Sequence, residues 1–138
     1  MRFGPGPAIL AVILSFTLAP AWAEDCPAQL TGMDEIIAAV NGAPSCDRAM
    51  KLAEACAYGA SADVQFGAAV EKKCESDFLA GLKAPRKHAY AREMGGCDQK
   101  YRNRSGTMYL SAAAFCRAEV AQRYSQKALA QASRSKAR

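Results

Sequence analysis

From Leu30 onward the apolar residues of this chain recur at intervals of three and four, the spacing of one helix face, and no extended run of Val, Ile and Thr alternates as a strand would. The clearest stripe is Phe66, Val70, Cys74, Phe78 and Leu82, each four residues after the last, with Leu79 alongside. A second passes through Tyr90, Met94, Cys97 and Tyr101, and a third through Tyr109, Ala112, Cys116, Val120 and Tyr124. Breakers and caps divide the pattern into five helices. Thr31 caps the first, which runs to about Val40 with Asp34 in a capping-box-like position, and Asn41-Gly42 and Pro44 close it. Ser45 caps the second, from Cys46 to about Tyr58, ended by Gly59. Ser61 caps the third, expected to be the longest, and Pro85 breaks or kinks it. In the fourth, Gly95-Gly96 permits close approach of another helix. A turn at Asn103-Arg104-Ser105-Gly106 follows, and Thr107 caps a last helix to about Leu129. Residues 131–138, rich in Ser, Lys and Arg, read as a disordered basic tail. The expected fold is all-α: a small disulfide-stapled bundle of antiparallel helices over residues 24–130.

The first 23 residues follow a different logic. Arg2, the apolar run Ala8 to Leu18 and the small-x-small site Ala21-Trp22-Ala23 make the three parts of a secretory signal peptide. The run is shorter than the about 20 apolar residues a bilayer span needs, so no membrane span is expected after cleavage. Glu24 and Asp25 before Cys26 are wrong for a lipidation site, which wants small or apolar residues there. Cleavage after Ala23 leaves 115 residues, one domain's worth, in the periplasm or outside the cell.

Export changes the meaning of the six cysteines, Cys26, Cys46, Cys56, Cys74, Cys97 and Cys116. In an oxidising compartment an even set reads as a disulfide framework. On one straight helix Cys46 and Cys56 would stand about 15 Å apart, beyond the about 7 Å that a bridge allows between Cα atoms. Each must therefore reach another element. Cys97 and Cys116 flank the 103–106 turn, and Cys46 and Cys74 flank Gly59–Ala60 almost symmetrically, so both pairs suit antiparallel hairpins. Spacing leaves the remaining connectivity open. Zinc is opposed by the absence of close cysteine pairs and by a single histidine, His88. No cofactor motif is present.

Charge is unevenly placed. Residues 24–85 carry 10 acids and 5 bases, residues 86–138 carry 3 acids and 12 bases. Two solvated faces that partly neutralise each other on folding are the simplest outcome. His88 sits among Arg86, Lys87 and Tyr90 with no nucleophile motif nearby, and Asp34 and Glu35 are adjacent on a helix and do not face each other, so no enzyme is expected. The tyrosines and phenylalanines read as core.

Ser45-Cys46-Asp47 through Glu54-Ala55-Cys56 resembles the opening of the lysozyme-inhibitor proteins of the LprI type. Arg92-Glu93-Met94-Gly95-Gly96-Cys97 is similar to that family's approach to its third cysteine, and Ser105-Gly106-Thr107-Met108-Tyr109, Cys116 and Arg123 to its closing turn and helix. The resemblance spans residues 45–130. It departs in lacking the tryptophan before the third cysteine and in having Cys26 and Cys74 beyond the four-cysteine pattern. It implies that Cys26 pairs with Cys74, against the hairpin pairing above, while the other four bond among themselves. It also implies a binding protein that inhibits lysozyme, through either of two surfaces. The acidic half (Asp34, Glu35, Asp47, Glu54, Asp63, Glu71) would steer toward a basic enzyme. Alternatively the turn, with candidate contact residues Arg104, Ser105, Gly106 and Thr107, would insert into the cleft. Another envelope protein is a further possible partner. The basic half independently suggests binding to anionic envelope polymers, or a structural protein without a ligand; the compartment excludes nucleic acid.

Overall fold

The computed structural model describes residues 25–138, so the expected signal peptide lies outside the described residues. The described residues form five α-helices and one short 3₁₀ turn: α1 Met33–Gly42, α2 Cys46–Ala55, α3 Asp63–Glu75, the 3₁₀ turn Leu79–Gly81, α4 Ala84–Tyr101 and α5 Thr107–Lys136. The described residues contain no strand. The all-helical, disulfide-stapled bundle is the observed fold.

Caps differ from expectation in instructive ways. Ser45 caps α2 as expected, accepting from the Arg48 N–H at 3.2 Å. At α1 it is Glu35, not Asp34, that reaches back, accepting from the N–H groups of Thr31 and Gly32 at 2.9 and 3.1 Å. These bonds hold the Glu35 carboxyl below its ordinary pKa. α2 stops at Ala55, earlier than Tyr58, because Cys56 is drawn into a bridge. Ser61 does not cap α3; that helix begins at Asp63. Nor is α3 the longest helix or continuous to Leu82: it ends at Glu75, and Phe78 reaches the core from the turn that follows. Pro85 opens α4, where its missing N–H costs nothing. α5, at 30 residues, is the longest and runs through the segment expected to be a disordered tail, ending at Lys136. Helix-forming Ala, Gln, Lys and Arg at 126–136 account for that extension.

Three disulfides join Cys26 to Cys56, Cys46 to Cys74 and Cys97 to Cys116, with Cα separations of 4.7, 4.7 and 5.7 Å. Cys46–Cys74 and Cys97–Cys116 are pairings that the spacing left open. The Cys26–Cys74 pairing that the resemblance implies, preferred to Cys46–Cys74, does not form: Cys74 is the penultimate residue of α3, beside Cys46 at the start of α2, and the segment preceding α1 folds back onto the end of α2. Each bridge contributes roughly 2–4 kcal/mol by restricting the unfolded chain.

The core is alanine-rich. Ala49, Ala53, Ala118 and Ala121 are fully buried, and Phe66, Val40 and Val70 fill the space between them. Small side chains let helices come close, and α3 and α5 come closest at Gly67. A Cβ there would meet the backbone carbon, carbonyl oxygen and Cβ of Ala114 at 2.9 Å. Gly95 and Gly96, expected to allow such an approach, have nothing within 4 Å of a Cβ. Lower down, Phe78, Tyr90 and Tyr124 form a triad with centroids 5.0 to 5.5 Å apart, tying α4 and α5 to the end of α3.

The glycines give a paired prediction. Gly67→Ala forces rigid backbone apart and should lower stability by about 1–2 kcal/mol despite the better helix propensity of alanine. Gly96→Ala, with open space around it, should raise stability by about 0.5–1 kcal/mol. Urea unfolding of the two variants checks both signs.

Candidate functional site

The turn between α4 and α5 is built by local chemistry. α4 ends at Tyr101, and the Arg104 N–H donates to the Tyr101 carbonyl at 2.9 Å. Gly106, at φ 110°, occupies a conformation that side chains resist and serves as the residue before α5. Thr107 is thus the first residue of α5 and not its cap. Arg104, Ser105, Gly106 and Thr107 are all exposed. Behind the turn the Cys97–Cys116 bridge clamps the two helices.

The Arg104 side chain is not adrift. Its guanidinium lies 5.7 Å from the centroid of the Tyr109 ring, which in turn lies 6.4 Å from that of Tyr101. Arg104, Tyr101, Tyr109 and Leu110 line a shallow groove of about 240 Å³. Through Leu110, Ala113 and Asp98 this groove shares its wall with a larger one of about 420 Å³ between α3 and α5. Large apolar side chains stand on this end: Met108 is 63% exposed and Leu110 54%. Arg, Tyr and Met are the residues most often enriched at protein interfaces.

Beyond the groove, charges meet their partners. Arg117 donates to Glu71 at 2.9 and 3.1 Å and to Asp98 at 3.0 Å, an arrangement that raises its pKa, chiefly through the Glu71 hydrogen bonds. Asp47 accepts from Gln122 and Gln126 at 2.7 and 2.9 Å. Asp77 accepts from Ser125, and Glu75 from the Tyr90 hydroxyl at 2.9 Å. Glu93 takes the Tyr124 hydroxyl at 2.7 Å and Arg123 at 2.9 Å.

The acidic half therefore does not form a free steering surface. Of its six named acids, Glu35 closes its own helix, Asp47 and Glu71 bind α5, and Asp63 is fully buried. Asp34 and Glu54 remain exposed, and burial together with Glu119 raises the Glu54 pKa. His88 is exposed on α4. All six cysteines are consumed in bridges.

Asp63, one of the acids of the acidic half, organises this end of the molecule. Its carboxylate accepts the N–H groups of Tyr58, Gly59 and Ala60 at 2.7 to 3.2 Å and the Ser111 hydroxyl at 2.7 Å. It fixes the α2–α3 loop to α5 just below the candidate turn. The available signal was an acid four residues after Gly59, which holds φ 71°.

No family model, curated protein or solved structure matches this chain.

Two predictions follow from these hydrogen bonds. Asp63→Ala leaves three loop N–H groups without their acceptor and should cost about 3 kcal/mol, against about 1 kcal/mol for Ser111→Ala, read by thermal unfolding. The Tyr124 hydroxyl, with Arg123 and Lys127 adding to it, holds Glu93 below its ordinary pKa. A depressed carboxylate adds stability that is present above its unfolded pKa and disappears as pH falls through the folded one. In Tyr124→Phe, NMR titration should therefore place the Glu93 midpoint higher than in the parent.

Proposed function

We propose that this chain is an exported binding protein that inhibits a lysozyme by inserting the Asn103–Thr107 turn into the enzyme's cleft, with Arg104 against the catalytic carboxylates. One observation carries the reading. The turn is exposed, presents an arginine held over an aromatic ring, and joins two helices that the Cys97–Cys116 disulfide clamps together. Lysozymes work with a pair of carboxylates set in an open cleft. A guanidinium is the side chain whose fixed donors match a carboxylate in two places. Pre-organisation of the turn reduces the ordering cost of docking, and Met108 and Leu110 supply apolar area beside the arginine.

Support also comes from the similarity of Ser105–Tyr109 and Cys116 to the closing turn of the inhibitor family. Insertion is favoured over electrostatic steering because most acids that would steer are already engaged within the fold. Three disulfides fit an oxidising compartment outside the cytoplasm. With the N-terminal signal they support export to the periplasm or beyond. Among the described residues no helix is long and apolar enough to cross a membrane.

The test is a cell-wall lysis assay with several lysozyme types and micromolar excess of the oxidised protein. Inhibition is expected for at least one type, and Arg104→Ala should weaken it by about tenfold or more, the size of an interface hot spot. Absence of inhibition for every type rejects the reading.

A further inference from the structure

The opposite end of the molecule carries a second feature that the turn does not explain. Residues 83–92 and 123–138 together hold nine Lys and Arg and no Asp or Glu. They are remote in sequence, but the fold sets them side by side. α4 and α5 run antiparallel from the Cys97–Cys116 bridge, so Tyr90 meets Tyr124, at 5.0 Å between centroids, and the first turns of α4 lie along the second half of α5. Arg123, Lys127 and Arg134 recur on one side of α5 and line a shallow groove of about 390 Å³ with Gln126 and Gln131. The Lys127 ammonium stands 5.6 Å from the centroid of Tyr124. Arg86 lies in the first turn of α4, the end that runs beside the second half of α5.

The carboxylates packed around this groove are already engaged. Glu93 serves Tyr124 and Arg123, Asp77 serves Ser125, and Asp47 serves Gln122 and Gln126. Arg86, Lys127 and Arg134 are exposed. Packing like charges together lowers stability, and of the cations lining the groove it is Arg123 that has a carboxylate partner, Glu93.

We propose that this basic end, centred on Arg86, Lys127 and Arg134, is a docking surface for the phosphate groups of an anionic membrane, independent of the turn at the other end. Three chemical features argue for lipid phosphates. Arginine binds phosphate oxygens in a bidentate manner, and two of the three central residues are arginines. The groove is shallow and lies along a helix surface, which suits a plane of head groups. The aromatic rings at this end, Tyr90 and Tyr124, are buried in the core and leave no platform on which nucleic-acid bases would stack.

The experiment is vesicle co-sedimentation of the full oxidised protein with phosphatidylcholine vesicles, alone and mixed with phosphatidylglycerol, at low and physiological salt. Binding should require phosphatidylglycerol and fall as salt rises. Each cation near an anionic surface is worth about fivefold in partitioning, so the triple variant Arg86→Gln, Lys127→Gln, Arg134→Gln should bind about 100-fold more weakly. A variant of equal net charge at other exposed positions, Lys72→Gln, Lys100→Gln, Arg102→Gln, should lose at most a few-fold. Circular dichroism verifies that both variants keep their helices. Equal losses in the two variants would mean that only net charge matters and would overturn the proposal. Failure of the parent to bind phosphatidylglycerol vesicles at low salt would do the same. Soluble polyphosphate capturing the protein more tightly than the vesicles would assign the surface to a free polymer and overturn the membrane assignment.

Discussion

The close approach of α3 to α5 at Gly67 is the constraint on which the rest of the molecule depends. Where a side chain would collide with the Ala114 backbone, its absence lets the two helices interlock over their length. Once they are that near, Asp63 can reach Ser111, Glu71 can reach Arg117 and Asp77 can reach Ser125, one polar link at each successive level of the pair. α1 and α2 then cover one side of α3, held by Cys46–Cys74, while α4 lies along α5, held by Cys97–Cys116. A core in which a third of the buried apolar residues are alanine buries less area per residue. The crosslinks and these cross-helix bonds offset what the small side chains cannot contribute.

The same pair explains where charge ends up. An acidic first half and a basic second half do not make two opposed faces, because α3 and α5 draw one half against the other. Acids of α2 and α3 and of the turn after α3 bind groups of α5. Cations beyond the reach of those acids are left at the two ends of α4 and α5. At one end is the turn with Arg104, at the other Arg86, Lys127 and Arg134.

Much of this was legible in the chain, and the failures have physical causes. Caps, breakers and apolar stripes together located the five helices, and the stripe of the third correctly placed Phe66, Val70, Cys74 and Phe78 in the core. It overran the end of α3 because Phe78 is buried from a non-helical turn, a geometry that keeps the periodicity without the helix. Hairpin symmetry suits Cys46–Cys74 and Cys97–Cys116, since a bridge across a turn needs only local geometry. Cys26–Cys56 depends on how the segment before α1 folds back, which no local pattern encodes. The exposed turn was visible from Asn103-Arg104-Ser105-Gly106, but the role of Gly67 was not. A glycine inside a helix reads the same whether a neighbour touches it, as here, or nothing does, as at Gly95 and Gly96.

Two basic helices packed side by side would ordinarily repel, so α4 and α5 need a seam that outweighs their surplus charge. That seam is aromatic and sulfur-rich: Cys97–Cys116 at one level and Tyr90–Tyr124 at another, with Met94 buried between. Neither kind of contact is screened by salt, whereas the repulsion between exposed cations is. Between those levels Glu93 binds Tyr124 and Arg123 together, so a single acid both satisfies a buried-edge hydroxyl and relieves the nearest cation. The charges that remain are therefore carried by a scaffold whose stability does not depend on neutralising them, which leaves them available to an external anion.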